Sequence, residues 1–101
     1  MWIVVMFDLP VKTKQQRKVA SRFRKDLQDA GFDMIQFSVY SRPCPTEENA
    51  QVYKDYVRRI LPAKGHVRII QFTDKQYGRM ECFYGNLQEP PERQPEQLDL
   101  F

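Results

Sequence analysis

The hydrophobic pattern of the chain begins with an apolar run that ends in a carboxylate. Residues 2–7 are apolar without a polar break, and three of them are β-branched. A run of this length that ends near a proline is typical of a strand buried on both faces, which predicts a central strand. Pro10 cannot donate a backbone hydrogen bond, so pairing is expected to stop near it. Asp8 therefore lies at the predicted strand end, where its carboxylate either takes part in a reaction or caps the next turn.

Two later segments have the spacing of amphipathic helices. In residues 12–30 the apolar side chains recur on one helical face. They are Val19, Ala20, Phe23, Leu27 and Ala30. Gly31 follows as a C-terminal cap. The second helix opens with Thr46 as its N-cap, and Pro62 and Gly65 end it.

Three further segments have the alternation or composition of β-strands. Residues 33–42 alternate, but the polar centre at residues 36–38 leaves open whether the segment bends into two short strands. Residues 67–73 are rich in β-branched and aromatic side chains. After a turn at residues 74–76, residues 77–84 are predicted to form the last core strand, with Gly78 as a candidate bulge. This order predicts an α+β, ferredoxin-like domain over residues 1–86, with two helices on one face of an antiparallel sheet.

The composition changes near the end of the chain. Residues 87–96 are rich in Pro, Glu and Gln and are predicted to be an extended linker. Residues 97–101 are then predicted to be a docking tail or an exchanged strand, because Leu98, Leu100 and Phe101 provide apolar anchors. The alternative interpretation is a frayed terminus.

Length and charge limit the classes of function. A chain of 101 residues allows one domain, and a domain of this size buries only about 60–65% of its unfolded surface, which favours a dimer. The net charge of +3 suits an anionic partner without establishing one. No apolar run approaches the ~20 residues of a membrane span, and the N-terminus lacks the pattern of a signal peptide. Cys44 and Cys82 lie far apart and indicate free thiols in a reducing cytoplasm, while the single His66 argues against a zinc site.

The polar face of the first predicted helix is cationic. Lys14, Lys18, Arg22 and Lys25 recur at helical spacing, and Arg17 lies beside them. A solvated helix also carries a charged face routinely, so the pattern alone leaves both interpretations open.

Several segments together resemble the CRISPR-associated protein two family, the small core protein of CRISPR adaptation. They are residues 4–10, the basic helix, residues 36–40 and residues 65–70. Residues 72–80 look most like members from type II systems. The resemblance spans about residues 1–86, in order and spacing.

The resemblance implies a ferredoxin-like protomer in a tight two-fold dimer. In the family, the acid that ends the first strand faces its symmetry mate, and the pair holds Mg²⁺ and is assigned to metal-dependent phosphodiester cleavage. That catalytic and metal-binding role carries over to Asp8 alone. Mg²⁺ takes oxygen ligands and keeps several waters, so two carboxylates and phosphate oxygens suffice.

The resemblance also implies nucleic-acid and protein partners. The family bridges two dimers of the adaptation integrase, CRISPR-associated protein one, and its basic surface holds duplex DNA. Cations near Asp8 in sequence, and one at the end of the second extended segment, are the expected phosphate contacts. These residues are Lys12, Lys14, Arg17, Lys18 and Arg42.

Other functions compete with this interpretation. A free-standing metal-dependent ribonuclease of the toxin type shares the fold, and such an enzyme would act on RNA. A ferredoxin-like RNA-binding module is disfavoured because its aromatic motif is absent. Residues 97–101 are also similar to the pentapeptide by which bacterial proteins dock onto the replication sliding clamp.

Overall fold

The structure, a computed structural model, describes residues 1–90. In chain order its elements are β1 (Trp2–Asp8), α1 (Lys14–Asp29), β2 (Asp33–Gln36), β3 (Val39–Pro43), α2 (Glu47–Arg59), β4 (His66–Phe72), α3 (Asp74–Gly78), β5 (Cys82–Tyr84) and β6 (Leu87–Glu89). Four strands form an antiparallel sheet in the order β2-β3-β1-β4, while β5 and β6 form a separate hairpin. The predicted ferredoxin-like α+β architecture is therefore confirmed, with β1 in the interior of the sheet.

The side chains of β1 alternate between two hydrophobic clusters. Ile3, Val5 and Phe7 pack against the buried faces of α1 and α2, so both helices lie on one face of the sheet. Trp2 and Val4 point to the opposite face, where they pack against Tyr77 of α3. Because successive side chains of a strand point to opposite faces, Asp8, the last residue of β1, also lies on this opposite face, and it is exposed.

Both long helices begin at threonine caps. Thr13 and Gln16 form a capping box at the start of α1, in which the Thr13 hydroxyl accepts from the Gln16 amide at 3.0 Å. Thr46 accepts from the Asn49 amide at 3.0 Å, which confirms it as the N-cap of α2. These caps satisfy backbone donors that the first helical turn leaves without partners.

Residues 33–42, for which the sequence left open one strand or two, bend into two short strands. β2 and β3 are two short antiparallel strands joined at Phe37 and Ser38, which we call the β2–β3 turn. Ser38 has a positive φ of 64°, which closes this tight turn at the cost of some backbone strain.

The prediction for residues 74–84 is wrong. Residues 74–78 form the short helix α3, capped by Thr73 and Gln76, and not a turn followed by a core strand. Only Cys82–Tyr84 is extended, and it pairs with β6 outside the main sheet. Because β6 covers Leu87–Glu89, the predicted linker does not begin at residue 87. The predicted docking tail, residues 97–101, lies outside the described residues.

Candidate metal and nucleic-acid site

Asp8 occupies the last position of β1, on the face of the sheet that the two long helices leave uncovered. Its side chain is exposed, whereas the preceding Phe7 is buried against α1. No hydrogen bond or ion pair within residues 1–90 engages the Asp8 carboxylate. The carboxylate is therefore available to a ligand or a metal ion that approaches this face.

Close packing around Gly65 holds the end of β1 in place. Gly65 has a φ of +100°, and a Cβ atom added to it would lie 2.7 Å from the Asp8 carbonyl oxygen and 2.8 Å from Leu9 Cδ2. Only glycine accepts both this backbone conformation and this approach. Leu9 is buried in the core, so the residue after Asp8 is anchored as well.

The register of the sheet places two basic side chains beside Asp8. His66 lies directly opposite Asp8, and Arg68 lies opposite Met6. Directly opposed residues of antiparallel strands share a face, so His66 and Arg68 flank the carboxylate on the uncovered side. Both are exposed. The sequence analysis missed both residues as site candidates, because Arg68 lies inside the predicted strand at residues 67–73 and His66 lies one residue before it.

The predicted lysines lie close to Asp8 in the chain. Lys12, Lys14 and Lys18 are exposed and take part in none of the ion pairs found in residues 1–90. Farther along α1, Arg22 pairs with an aspartate at 3.2 Å and Lys25 does so at the same distance, while Arg24 takes part in none of these ion pairs. The uncompensated charge of α1 is thus concentrated toward its N-terminal half.

The two predicted arginines have internal partners. Arg17 Nη1 donates to the carbonyl oxygens of Val11 and Lys12, both at 3.1 Å, and so stabilises the loop between β1 and α1. Arg42 donates from Nε to the Ala30 carbonyl at 2.8 Å, and its guanidinium lies 3.6 Å from the Tyr53 ring centroid. The Arg42 side chain is half-buried, and its nucleic-acid role stays a prediction.

A groove opens on the uncovered face, and it is lined by Val4 and Met6, which precede Asp8 on the same face of β1. Its volume is about 640 Å³, and it lies between the sheet and the segment that follows α3. Met6, Val39 and Ile70 form its floor, and Met80 and Phe83 line its side. A half-open apolar surface of this kind is typical of an interaction site.

One chain supplies few metal ligands at this site. Within the described part of the chain, no group of three or more His, Cys, Asp or Glu side chains could hold a metal ion. Asp8 alone gives one carboxylate, which fits Mg²⁺ only if a second copy and a phosphate complete the oxygen set. None of the helices in residues 1–90 has the length and apolar composition of a membrane span.

This protein has a ferredoxin-like fold, as the sheet order and the two long helices on one face show. Its polar site lies on the uncovered face, where the exposed acid ends the interior strand. Residues 1–80 match the family model described as CRISPR associated protein Cas2. The chain belongs to this family, as its resemblance in sequence had predicted.

Relatives named CRISPR-associated endoribonuclease Cas2 are similar along the whole chain. The protein of Paracidovorax avenae is 52% identical over 101 residues, covering 100% of this chain and 94% of its own length. The protein of Parvibaculum lavamentivorans is 46% identical and covered at 100% in both chains. The crystal structure of Streptococcus pyogenes Cas2 matches with a TM-score of 0.61 at 20% identity, covering 83% of this chain and 100% of that one, which supports the fold.

Proposed function

We propose that this chain works as a two-fold dimer that binds duplex DNA in CRISPR adaptation and bridges subunits of the adaptation integrase. The observation that carries the proposal is the half-open apolar groove on the face of the sheet that the two long helices leave uncovered. Asp8 is an exposed carboxylate without a partner in residues 1–90 on the same face, and Lys12, Lys14 and Lys18 follow it closely in sequence.

The apolar side chains on the uncovered face support the proposal of a dimer. Met6, Val39 and Ile70 lie only half-buried on it, and the neighbouring hairpin exposes Phe83 and Leu87. A second copy placed against this face would remove these side chains from water, which is the dominant favourable term in association. A two-fold axis near Met6 would then bring the two Asp8 carboxylates toward each other.

The facing carboxylates would hold Mg²⁺ together with phosphate oxygens of the nucleic acid. Asp8 of each copy would hold the ion, and Mg²⁺ in this position would supply charge neutralisation at the phosphate and activation of a water molecule. In each chain β1 and Gly65 keep Asp8 in position, while the Arg68 guanidinium provides a charged donor to the phosphate from the same face.

The duplex would be held through its phosphates, without base recognition. Lys12, Lys14 and Lys18 supply positive charge along the start of α1. If a dimer engages ~8 phosphates, the slope of log K against log salt concentration is about −7. We therefore expect duplex affinity to fall steeply as the salt concentration rises.

A charge-reversal pair tests this interface. Lys14→Glu with Lys18→Glu should weaken duplex binding and make the salt slope shallower by about one unit for each phosphate that is no longer bound. Arg22→Glu with Lys25→Glu is the control, since it changes the charge of α1 equally but alters cations that are already paired. If both double variants remain dimers and show equal salt slopes of duplex binding, the start of α1 is not part of the nucleic-acid interface.

A free-standing metal-dependent ribonuclease is the second candidate, favoured by the name endoribonuclease that the relatives carry. Asp8→Asn keeps the shape of the side chain and removes its charge, so it separates the two. An enzyme of this kind loses Mg²⁺-dependent RNA cleavage, whereas a bridging protein still supports spacer integration by CRISPR-associated protein one. Failure of integration with the dimer intact would refute the purely bridging role.

The C-terminal tail adds a partner to the proposal. We expect Leu98, Leu100 and Phe101 to dock as a strand on the dimer or on the integrase. The alternative is the replication sliding clamp. A pull-down with purified clamp, comparing the intact chain with Leu100→Ala and Phe101→Ala, separates them, because retention of the intact tail alone would favour the clamp.

A further inference from the structure

The β2–β3 turn presents an exposed aromatic ring. Phe37 is 74% exposed, although it follows a strand of the main sheet. The Ser38 carbonyl accepts from the Phe7 amide at 3.0 Å, so the turn is fixed to β1 one residue before Asp8. The turn therefore lies at the end of β1 that carries Asp8, and the Phe37 ring remains open to solvent.

Arg24 of helix α1 packs against this ring. The Arg24 guanidinium carbon lies 4.8 Å from the Phe37 ring centroid and 5.4 Å from that of Phe7. Arg24 Nη2 also donates to Ser38 Oγ at 3.3 Å. Among the ion pairs of residues 1–90 none includes Arg24, so its positive charge is not neutralised by a carboxylate. The β2–β3 turn thus presents the exposed Phe37 ring, which the Arg24 guanidinium contacts.

We infer that Phe37, backed by Arg24, is a stacking platform for an unpaired nucleobase of the bound nucleic acid. Every base has a π face, and exposed aromatic rings beside cations are the usual means of holding unpaired bases without sequence preference. The platform rests on the proposed function and deepens it, since it selects ends or single strands over continuous duplex. Phosphates next to the stacked base would lie near Arg24.

The position of the ring favours a base over a second copy of the chain. Phe37 does not line the apolar groove to which the second copy is assigned, although its neighbours Gln36 and Val39 do. The ring projects from a turn, where it is accessible to a flat ligand. Formation of the dimer across the groove would leave this surface available.

Binding of two oligonucleotides tests the platform. One is a blunt DNA duplex, and the other is the same duplex with a short unpaired end that contains 2-aminopurine, whose fluorescence falls on stacking. Phe37→Ala should weaken binding of the unpaired-end duplex by about 5- to 150-fold for one stacked base and abolish the quenching. Binding of the blunt duplex should not change. Phe37→Tyr should keep both properties, and Val52→Ala, which removes an exposed apolar side chain on α2, is the matched control.

Three results would overturn the inference. The first is unchanged affinity and quenching in Phe37→Ala, and the second is an equal decrease in affinity for both duplexes. The third is a change from dimer to monomer, which would make Phe37 a subunit contact. If the unaltered chain binds neither duplex, the proposed function fails as well, whereas binding of the blunt duplex with no effect of Phe37→Ala refutes the platform alone.

Discussion

Replacement of Gly65 by alanine tests whether the end of β1 is held by close backbone packing. The added Cβ would lie 2.7 Å from the Asp8 carbonyl oxygen, 2.8 Å from Leu9 Cδ2 and 3.1 Å from Leu9 Cα. Two of these three atoms belong to the backbone and cannot rotate away. The end of β1 must therefore shift, and Asp8 must shift with it.

Two unfavourable terms and one favourable term determine the size of the effect. A side chain at the φ of +100° costs about 1–3 kcal/mol. The steric overlap costs about 1–3 kcal/mol more, and alanine regains about 0.4–1 kcal/mol through the lower entropy of the unfolded chain. We expect the free energy of unfolding to fall by about 2–4 kcal/mol, which lowers the Tm by roughly 10–20 °C for a domain of this length.

Two other glycines provide matched controls for urea and thermal unfolding. Gly85 has a positive φ of 62° but nothing within 4 Å of an added Cβ, so Gly85→Ala measures the conformational cost alone. Gly78 has neither feature, and Gly78→Ala should be neutral or slightly stabilising. If Gly65→Ala is no less stable than Gly85→Ala, the close packing of Gly65 against β1 is refuted.

Two further predictions concern buried side chains. Tyr77→Phe removes the hydrogen bond from the Tyr77 hydroxyl to the buried Ser41 Oγ, 3.0 Å in length, and should lower the free energy of unfolding by about 1–2 kcal/mol in urea titrations; an unchanged midpoint would contradict the bond. Burial raises the pKa of the Cys44 thiol, and the neighbouring Arg42 offsets this only in part. Because the thiolate is the reactive form, iodoacetamide at pH 8 should label Cys82 before Cys44 in the folded protein, and faster labelling of Cys44 would contradict its burial.

The elements that could be predicted have strong local signals. The apolar run of β1 predicts an interior strand whatever its partners are, and Thr46 marks the start of α2 through its own hydrogen bond. The two long helices show apolar spacing over several turns, which a sequence pattern can detect. These features depend on residues that are near one another in the chain.

The C-terminal part of the domain depends on distant contacts. The Tyr77 ring stacks on the Trp2 ring with centroids 3.9 Å apart, and this packing accompanies a five-residue helix that is too short to show a period. The prediction of a core strand over residues 77–84 therefore missed this helix. Thr73 and Gln76 carried the only local signal, the spacing of a capping box.

The candidate site divides in the same way. Asp8 could be assigned to the end of β1 from the sequence, but His66 joins it only through the register between β1 and β4, which no local pattern determines. Arg42 resembled a surface cation, yet it lies over Tyr53 and donates to the end of α1. A Cβ at Gly31 would lie 3.2 Å from Arg42 Nε, so a glycine at this position leaves room for that contact.

Cross-linking at residue 8 tests the central claim that two copies place their strand-end acids together. Asp8→Cys in a Cys82→Ser background should form a covalent dimer in high yield with a short bismaleimide. Lys25→Cys, on the exposed side of α1, should form none at the same protein concentration. A monomer that resists cross-linking through residue 8, or equal cross-linking through residue 25, would contradict this arrangement of the two copies.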